Sequence, residues 1–400
     1  MIQKRNAGLY HSPCLRMTAP NRPFRAFTTE MAQPKSMQKS AIEQCSHAPI
    51  CFRTGASHRS TGCDKIEGMN QTRLEAPQGL QSQTVAILGG SGFIGTRLAR
   101  LLTERNVQVR IGDIRPSETF PDLWKQADVR SLESLREFVS GADTIVNLAA
   151  EHRDDVRPLS RYYETNVEGA SQVCVAASNA GIRRIIFTSS VAVYGFQPAP
   201  VDENGLYSPF NAYGKTKLEA EAVYRRWAEE DPSRTLVIVR PTVVFGEGNR
   251  GNVYSLINQI ASGRFLMVGS GNNIKSIAYV GNVAAFLMHT LSLGPGVHIF
   301  NYVDGPDLKT RDLVEHIKSC LGKSSKISRI PRPVALAGGH ILDVLARVSG
   351  RTFPISAVRI RKFCESTQFY SKRVPQLGFV PPYSLRDALD QTIAHEFPRQ

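Results

Sequence analysis

Seven residues constrain this chain more than any others: Gly89-Gly90-Ser91-Gly92-Phe93-Ile94-Gly95, which follow the apolar run Val85–Leu88 and open a stretch to Arg105 with apolar residues at helical spacing. Glycines between a buried strand and a helix permit a tight turn, close backbone approach to a pyrophosphate and dense helix–strand packing. The helix N-terminus adds N–H groups and a positive dipole suited to phosphate. The spacing of Gly89, Gly92 and Gly95 is GxxGxxG rather than GxGxxG, and taken alone it also fits an ordinary glycine-rich turn.

The pattern around the loop decides between these readings. Short apolar runs at Val107–Ile111, Thr144–Leu148, Arg184–Thr188 and Leu236–Val239 alternate with helical stretches near 131–140, 160–180 and 213–230. Such alternation predicts βαβ units, hence a Rossmann-type, doubly wound parallel sheet of the α/β class with helices on both faces. Strand signals thin beyond about residue 250. We therefore expect a dinucleotide-binding domain over 84–250 and a smaller, mixed α/β substrate lobe over 251–400, with some segments of the latter returning to the first domain. Residues 1–83 have neither helical nor strand periodicity and read as a disordered head or an over-extended gene start, with Met69 a sensible alternative start.

Composition narrows the function classes. The chain is 42% hydrophobic and 21% charged, close to average globular usage, with no apolar run long enough for a conventional membrane-spanning helix. Seven cysteines without a CxxC pair argue against a disulfide framework or a zinc site, so no metal is expected and a reducing, cytoplasmic compartment fits. The net charge of +14 is local: residues 84–322 are balanced, whereas 323–362 hold nine Lys/Arg against Asp343 alone. A globally basic nucleic-acid binder is excluded.

Asp113 ends the second strand, 18 residues after Gly95, where a carboxylate accepts both ribose hydroxyls and repels a 2′-phosphate; NAD is favoured, with Arg115 a countervailing charge. Asp128-Val129 follows a short strand and is placed to face an adenine amino group, or Asp128 caps the next helix. Tyr213 and Lys217 are four apart on a helix and so share a face, where a cation can lower a phenol's pKa; taken alone the pair reads as an ordinary surface Tyr/Lys pair on an amphipathic helix, and Lys215 points elsewhere. Thr188-Ser189-Ser190 lies at the carboxyl end of a buried strand, a catalytic address in open parallel sheets, although a serine pair there also serves as a turn or cap.

Together with Asn147-Leu148-Ala149-Ala150, Tyr162-Tyr-Glu-Thr-Asn166 and Arg240-Pro241, these motifs resemble, in order and spacing, the extended short-chain dehydrogenase/reductases over roughly residues 84–400. Ala150–Val156, Arg240–Gly246, Asn249–Tyr254, Lys275-Ser276, Phe353–Arg359 and Lys362–Cys364 are similar to the branch of bacterial 4-epimerases that convert lipid-linked GlcNAc to GalNAc for surface, O-antigen-like polysaccharide. That resemblance implies a base in Tyr213, a ribose-holding cation in Lys217, a catalytic hydroxyl in Ser190 and a supporting amide in Asn166. NAD contacts would come from Gly89, Gly92, Phe93, Ile94, Gly95, Asp113, Asp128, Val129, Leu148, Ala149, Ala150, Tyr213, Lys217 and Pro241. Arg153, Arg250 and Asn252, with Ser190, are the candidate substrate contacts. Val191-Ala192 stand where a 4,6-dehydratase would carry an acid pair, which disfavours dehydration.

The substrate is then an amino sugar, lipid-linked or nucleotide-linked; a keto-sugar or steroid-type reductase and a non-catalytic dinucleotide sensor stay open as alternatives. The resemblance also implies a homodimer joined through the helices near 160–180 and 213–230. Apolar residues at 334, 337, 341, 345 and 348 line one side of the basic segment, although Gly338-Gly339 weaken it as a helix. Such a segment suits peripheral contact with an anionic membrane at the inner face of the cytoplasmic membrane, or packing as an ordinary amphipathic helix.

Overall fold

In the computed structural model, the residues described are 79–398 except 154, 155, 199, 325 and 350–355. Most of the head, and Asp154, Asp155 and Phe353–Ile355 among the motif residues, lie outside them.

The apolar runs become strands because each buries both faces. The strands are β1 (Thr84–Leu88), β2 (Gln108–Asp113), β3 (Trp124–Gln126), β4 (Thr144–Asn147), β5 (Arg184–Thr188), β6 (Thr235–Pro241), β7 (Val243–Phe245), β8 (Met267–Val268), β9 (Ile274–Lys275), β10 (Ile277–Tyr279), β11 (Gly296–Tyr302), β12 (Leu308–Lys309) and β13 (Arg329–Ile330). Seven of them form one parallel sheet in the order β11-β6-β5-β4-β1-β2-β3. The helices are α1 (Phe93–Thr103), α2 (Leu132–Val139), α3 (Ser160–Tyr163), α4 (Gly169–Asn179), α5 (Ala212–Glu229), α6 (Asn252–Ala261), α7 (Val280–Thr290), α8 (Thr310–Cys320), α9 (Arg332–Ser349), α10 (Ala357–Cys364) and α11 (Leu385–Glu396).

Side chains alternate across the sheet. Val85, Ile87, Ile111 and Val239 pack under α1 and α7, while Ala86, Leu88, Ile145 and Ile238 pack under α2, α4 and α5. Leu80, just ahead of β1, is buried in the first of these cores. A third core, built on Phe245, Ile257, Val314 and Leu389, joins α6, α8 and α11. At the solvent-exposed edge of this core, His316 and Cys320, one turn apart on α8, meet Asp390 of α11: the imidazole Nε2 lies 2.8 Å and the thiol Sγ 3.0 Å from Asp390 Oδ1, pinning the two helices together.

Two departures from the expected elements have physical causes. The helix near 160–180 is interrupted by a π turn at Glu164–Glu168, which no periodicity signals. Strand β11 was not expected because only Phe300, Asn301 and Tyr302 are buried; as an edge strand it carries no continuous apolar run.

Candidate active site

The chain runs outward from β1 through β2 to β3, then returns to β4 on the other side of β1. The connections therefore diverge at the carboxyl ends of β1 and β4, opening the crevice where parallel α/β sheets take ligands. Gly89 follows β1 with φ +74°, and a Cβ there would lie 2.6 Å from the Ala149 amide nitrogen beyond β4. A Cβ on Gly95 would fall 2.6 Å from Gly90 Cα, so only bare glycine lets α1 begin against the turn. Gly92 caps α1 without a side-chain acceptor, leaving Phe93, Ile94 and Gly95 to present the first turn.

Read across the sheet, the sequence candidates form a row: Asp113 ends β2, the glycine loop follows β1, Leu148-Ala149-Ala150 follow β4, Ser190 follows β5 and Pro241 ends β6. Four strand spacings, roughly 19 Å, separate the ends of that row. Asp113 is 9% exposed, its carboxylate accepting from Ser91 N at 3.2 Å and Arg115 N at 3.0 Å. This narrow cradle ending in an acid fits a dinucleotide with free ribose hydroxyls.

Asp128 does not cap α2; Ser131 does, accepting from Ser134 N. The Asp128 carboxylate is instead forked by Arg130, with Nε–Oδ1 3.0 Å and Nη2–Oδ2 2.6 Å, and that pairing holds it below the usual aspartate range. Val129 is buried with its side chain in the core beside Gly169, which leaves its backbone for contact with a ligand.

At the other end of the row, Asn211 starts α5 by accepting from Gly214 N at 2.9 Å. Gly214 is the hinge of the site: a Cβ there would lie 2.6 Å from Ala192 O. The bare glycine lets the first turn of α5, with Tyr213, close on the 3₁₀ turn Val191–Tyr194 that Ser190 caps through its Oγ. The serine is thus both cap and candidate catalytic hydroxyl. Lys217 is 2% exposed; its ammonium donates to Thr188 O at 2.7 Å and lies 4.6 Å from the Phe187 ring centre. Burial draws its pKa down to about 7, opposed by the charge of Glu221 one turn along. Lys215 is exposed. Asn166, buried in the π turn, ties Glu151 N and O to Thr216 Oγ1, locking that turn to the residue beside Lys217.

Sequence reasoning missed what lies beneath. Arg240 is fully buried and grips Glu221 through Nε at 2.8 Å and through Nη2, while donating to Tyr194 and Tyr207 hydroxyls at 2.6 and 2.8 Å. Ser189 donates to the same carboxylate at 2.6 Å. Burial alone would lower the Arg240 pKa, but the Glu221 pair overrides it and raises it. The available signal was Glu221 at the next i+4 step after Tyr213 and Lys217.

The proposed substrate contacts are more solvated. Arg153 is exposed and pairs with Glu151 at 3.5 Å. Arg250 and Asn252 flank the start of α6; Arg250 stacks on Tyr254 at 4.2 Å and pairs with Glu396. Glu396 also accepts from Gly248 N at 2.6 Å, so a carboxylate of α11 already fills an anion-binding corner of this loop.

Residues 85–302 match the NAD dependent epimerase/dehydratase family. The chain is 45% identical over 318 residues to the N-acetyl-alpha-D-glucosaminyl-diphospho-ditrans,octacis-undecaprenol 4-epimerase of Escherichia coli O157:H7, covering 79% of this chain and 96% of that protein. It is 26% identical to the UDP-glucose 4-epimerase of Vibrio cholerae, over 78% and 94% of the two chains. Among solved structures, MoeE5 in complex with UDP-glucuronic acid and NAD superposes with a TM-score of 0.62 at 25% identity, over 78% of this chain and 98% of that one. With this parallel sheet, its glycine cradle and the Tyr213–Lys217 helix, the chain belongs to the NAD dependent epimerase/dehydratase family.

Proposed function

We propose that this enzyme interconverts GlcNAc and GalNAc on undecaprenyl diphosphate, in the cytoplasm at the inner face of the membrane. The 45% identity to the E. coli enzyme, sustained over nearly all of that protein, carries the reading. Bound NAD would supply the acceptor and later the donor of the hydride at C4. The chain's own residues manage the proton and the geometry. Tyr213 removes the C4 hydroxyl proton and Ser190 holds the same oxygen. Lys217 favours the phenolate from its buried seat, and the Glu221–Arg240 pair keeps the floor of the site rigid. After the 4-keto sugar turns over, Tyr213 returns its proton to O4 while the hydride would come back to the opposite face of C4, which inverts that centre. Arg250 and Asn252 take the diphosphate at the α6 N-terminus, which requires Arg250 to exchange Glu396 for phosphate.

We assign the dinucleotide-binding unit to 84–250, with α7 and β11 completing it, and the rest of 251–400 to the substrate lobe. Purified enzyme, with no added cofactor, is incubated with GlcNAc on undecaprenyl diphosphate and, separately, on UDP. GalNAc is expected from the lipid-linked sugar at a rate at least tenfold above the nucleotide sugar. The reverse preference would make it a nucleotide-sugar epimerase.

A further inference from the structure

The basic segment forms a helical hairpin whose apolar side is turned outward. Despite Gly338-Gly339, α9 is continuous over its 18 residues, about 27 Å in length. Gly339 is where α10 crosses it: a Cβ there would lie 2.8 Å from Ala357 N and 2.9 Å from Ile360 Cδ1. What looks like a helix-weakening pair in sequence is thus, at Gly339, a notch for the partner helix. Asp343 also faces inward, accepting from Ala357 N at 3.1 Å at the start of α10.

These contacts leave Val334, Ile341, Val344, Leu345 and Val348 exposed on one stripe of α9, with Ile341 at 61% and Val348 at 82%, and add Val358 of α10 at 62%. Packing against the small lobe, the alternative use for an amphipathic helix, does not cover them. Lys326, Arg329, Arg332, Arg359 and Arg361 are exposed around the same hairpin, with Arg332 paired to Glu365. Asp343, the one acid between 323 and 362, faces α10, so the exposed charged side chains described in that span are all cationic. Among the described residues no helix is long and apolar enough to cross a bilayer. An apolar stripe bordered by cations is the surface that an anionic lipid leaflet complements.

We propose that the α9–α10 hairpin seats its outer face in an anionic leaflet and holds the enzyme where a lipid-linked sugar presents its diphosphate. This deepens the lipid-linked reading and rests on it for its purpose, but the docking itself is testable without substrate. The full-length protein is sedimented with vesicles of phosphatidylglycerol and phosphatidylethanolamine, and with phosphatidylcholine vesicles. A double variant, Ile341→Gln with Val348→Gln, changes exposed side chains only; its circular dichroism and thermal midpoint should match wild type. Wild type is expected to partition at least tenfold more onto the anionic vesicles, and the variant to lose most of that binding. The variant should slow turnover of the undecaprenyl substrate in vesicles several-fold while leaving a water-soluble short-chain analogue unaffected.

Wild type remaining in the supernatant, or a variant that binds as wild type does, overturns the proposal. So does a variant whose only change is a smaller sedimenting species, which would make the stripe a contact between copies of the chain. Vesicle binding by an enzyme that epimerises UDP-sugars alone would leave the docking standing and remove the lipid-linked substrate.

Discussion

Lys217 holds its amine in a site where burial draws the pKa down from the ordinary lysine value of 10.5 to about 7. Between those values the unfolded chain keeps a proton that the folded chain has released, so this group makes the cofactor-free protein more stable as pH rises from 7 toward 10.5. Lys217→Met should flatten that rise, measured as urea midpoints at several pH values across the window. Tyr213→Phe removes the proton carrier without touching the glycine cradle. Turnover should fall by about 10²–10⁴-fold while NAD stays bound, checked by kcat and cofactor stoichiometry. Both residues were legible in the sequence only through the family resemblance, because an i, i+4 Tyr/Lys pair on a helix also fits a solvated surface. Arg240 and Glu221 were not, since their pairing joins a strand to a helix and exists only after folding.

Elements whose burial is continuous announced themselves: β5 spans Arg184–Thr188 as its apolar run predicts, and α5 starts within one residue of expectation. Edge strand β11 and the π turn escaped because one is half solvated and the other is a local change of hydrogen-bond register. Gly214 falls between these cases, visible as a letter but not as a contact. In Gly214→Ala the new methyl meets the Ala192 carbonyl and must push the start of α5 away from the Ser190 turn. We expect kcat to drop at least tenfold with NAD retained, because the displaced helix end carries Tyr213 whereas the pyrophosphate cradle lies beyond β1. Steady-state kinetics beside cofactor content will check this.

For the whole molecule, we propose a homodimer through α4 and α5. Their outer side carries Val175 at 44% exposure and an open cleft of about 360 Å³ lined by Ser171, Cys174, Val223 and Trp227. Sedimentation equilibrium at micromolar concentration should give twice the chain mass, and Val175→Arg should shift it toward monomer. The clasp of Glu396 on Gly248 and Arg250 spans 148 residues of sequence. Every strand of the large sheet is complete by Tyr302, so on a ribosome adding about 5–20 residues per second the clasp emerges roughly 5–20 s later. A nascent chain can therefore complete its dinucleotide cradle while the Arg250 corner is still open, and the carboxylate that competes there with phosphate is among the last groups to arrive.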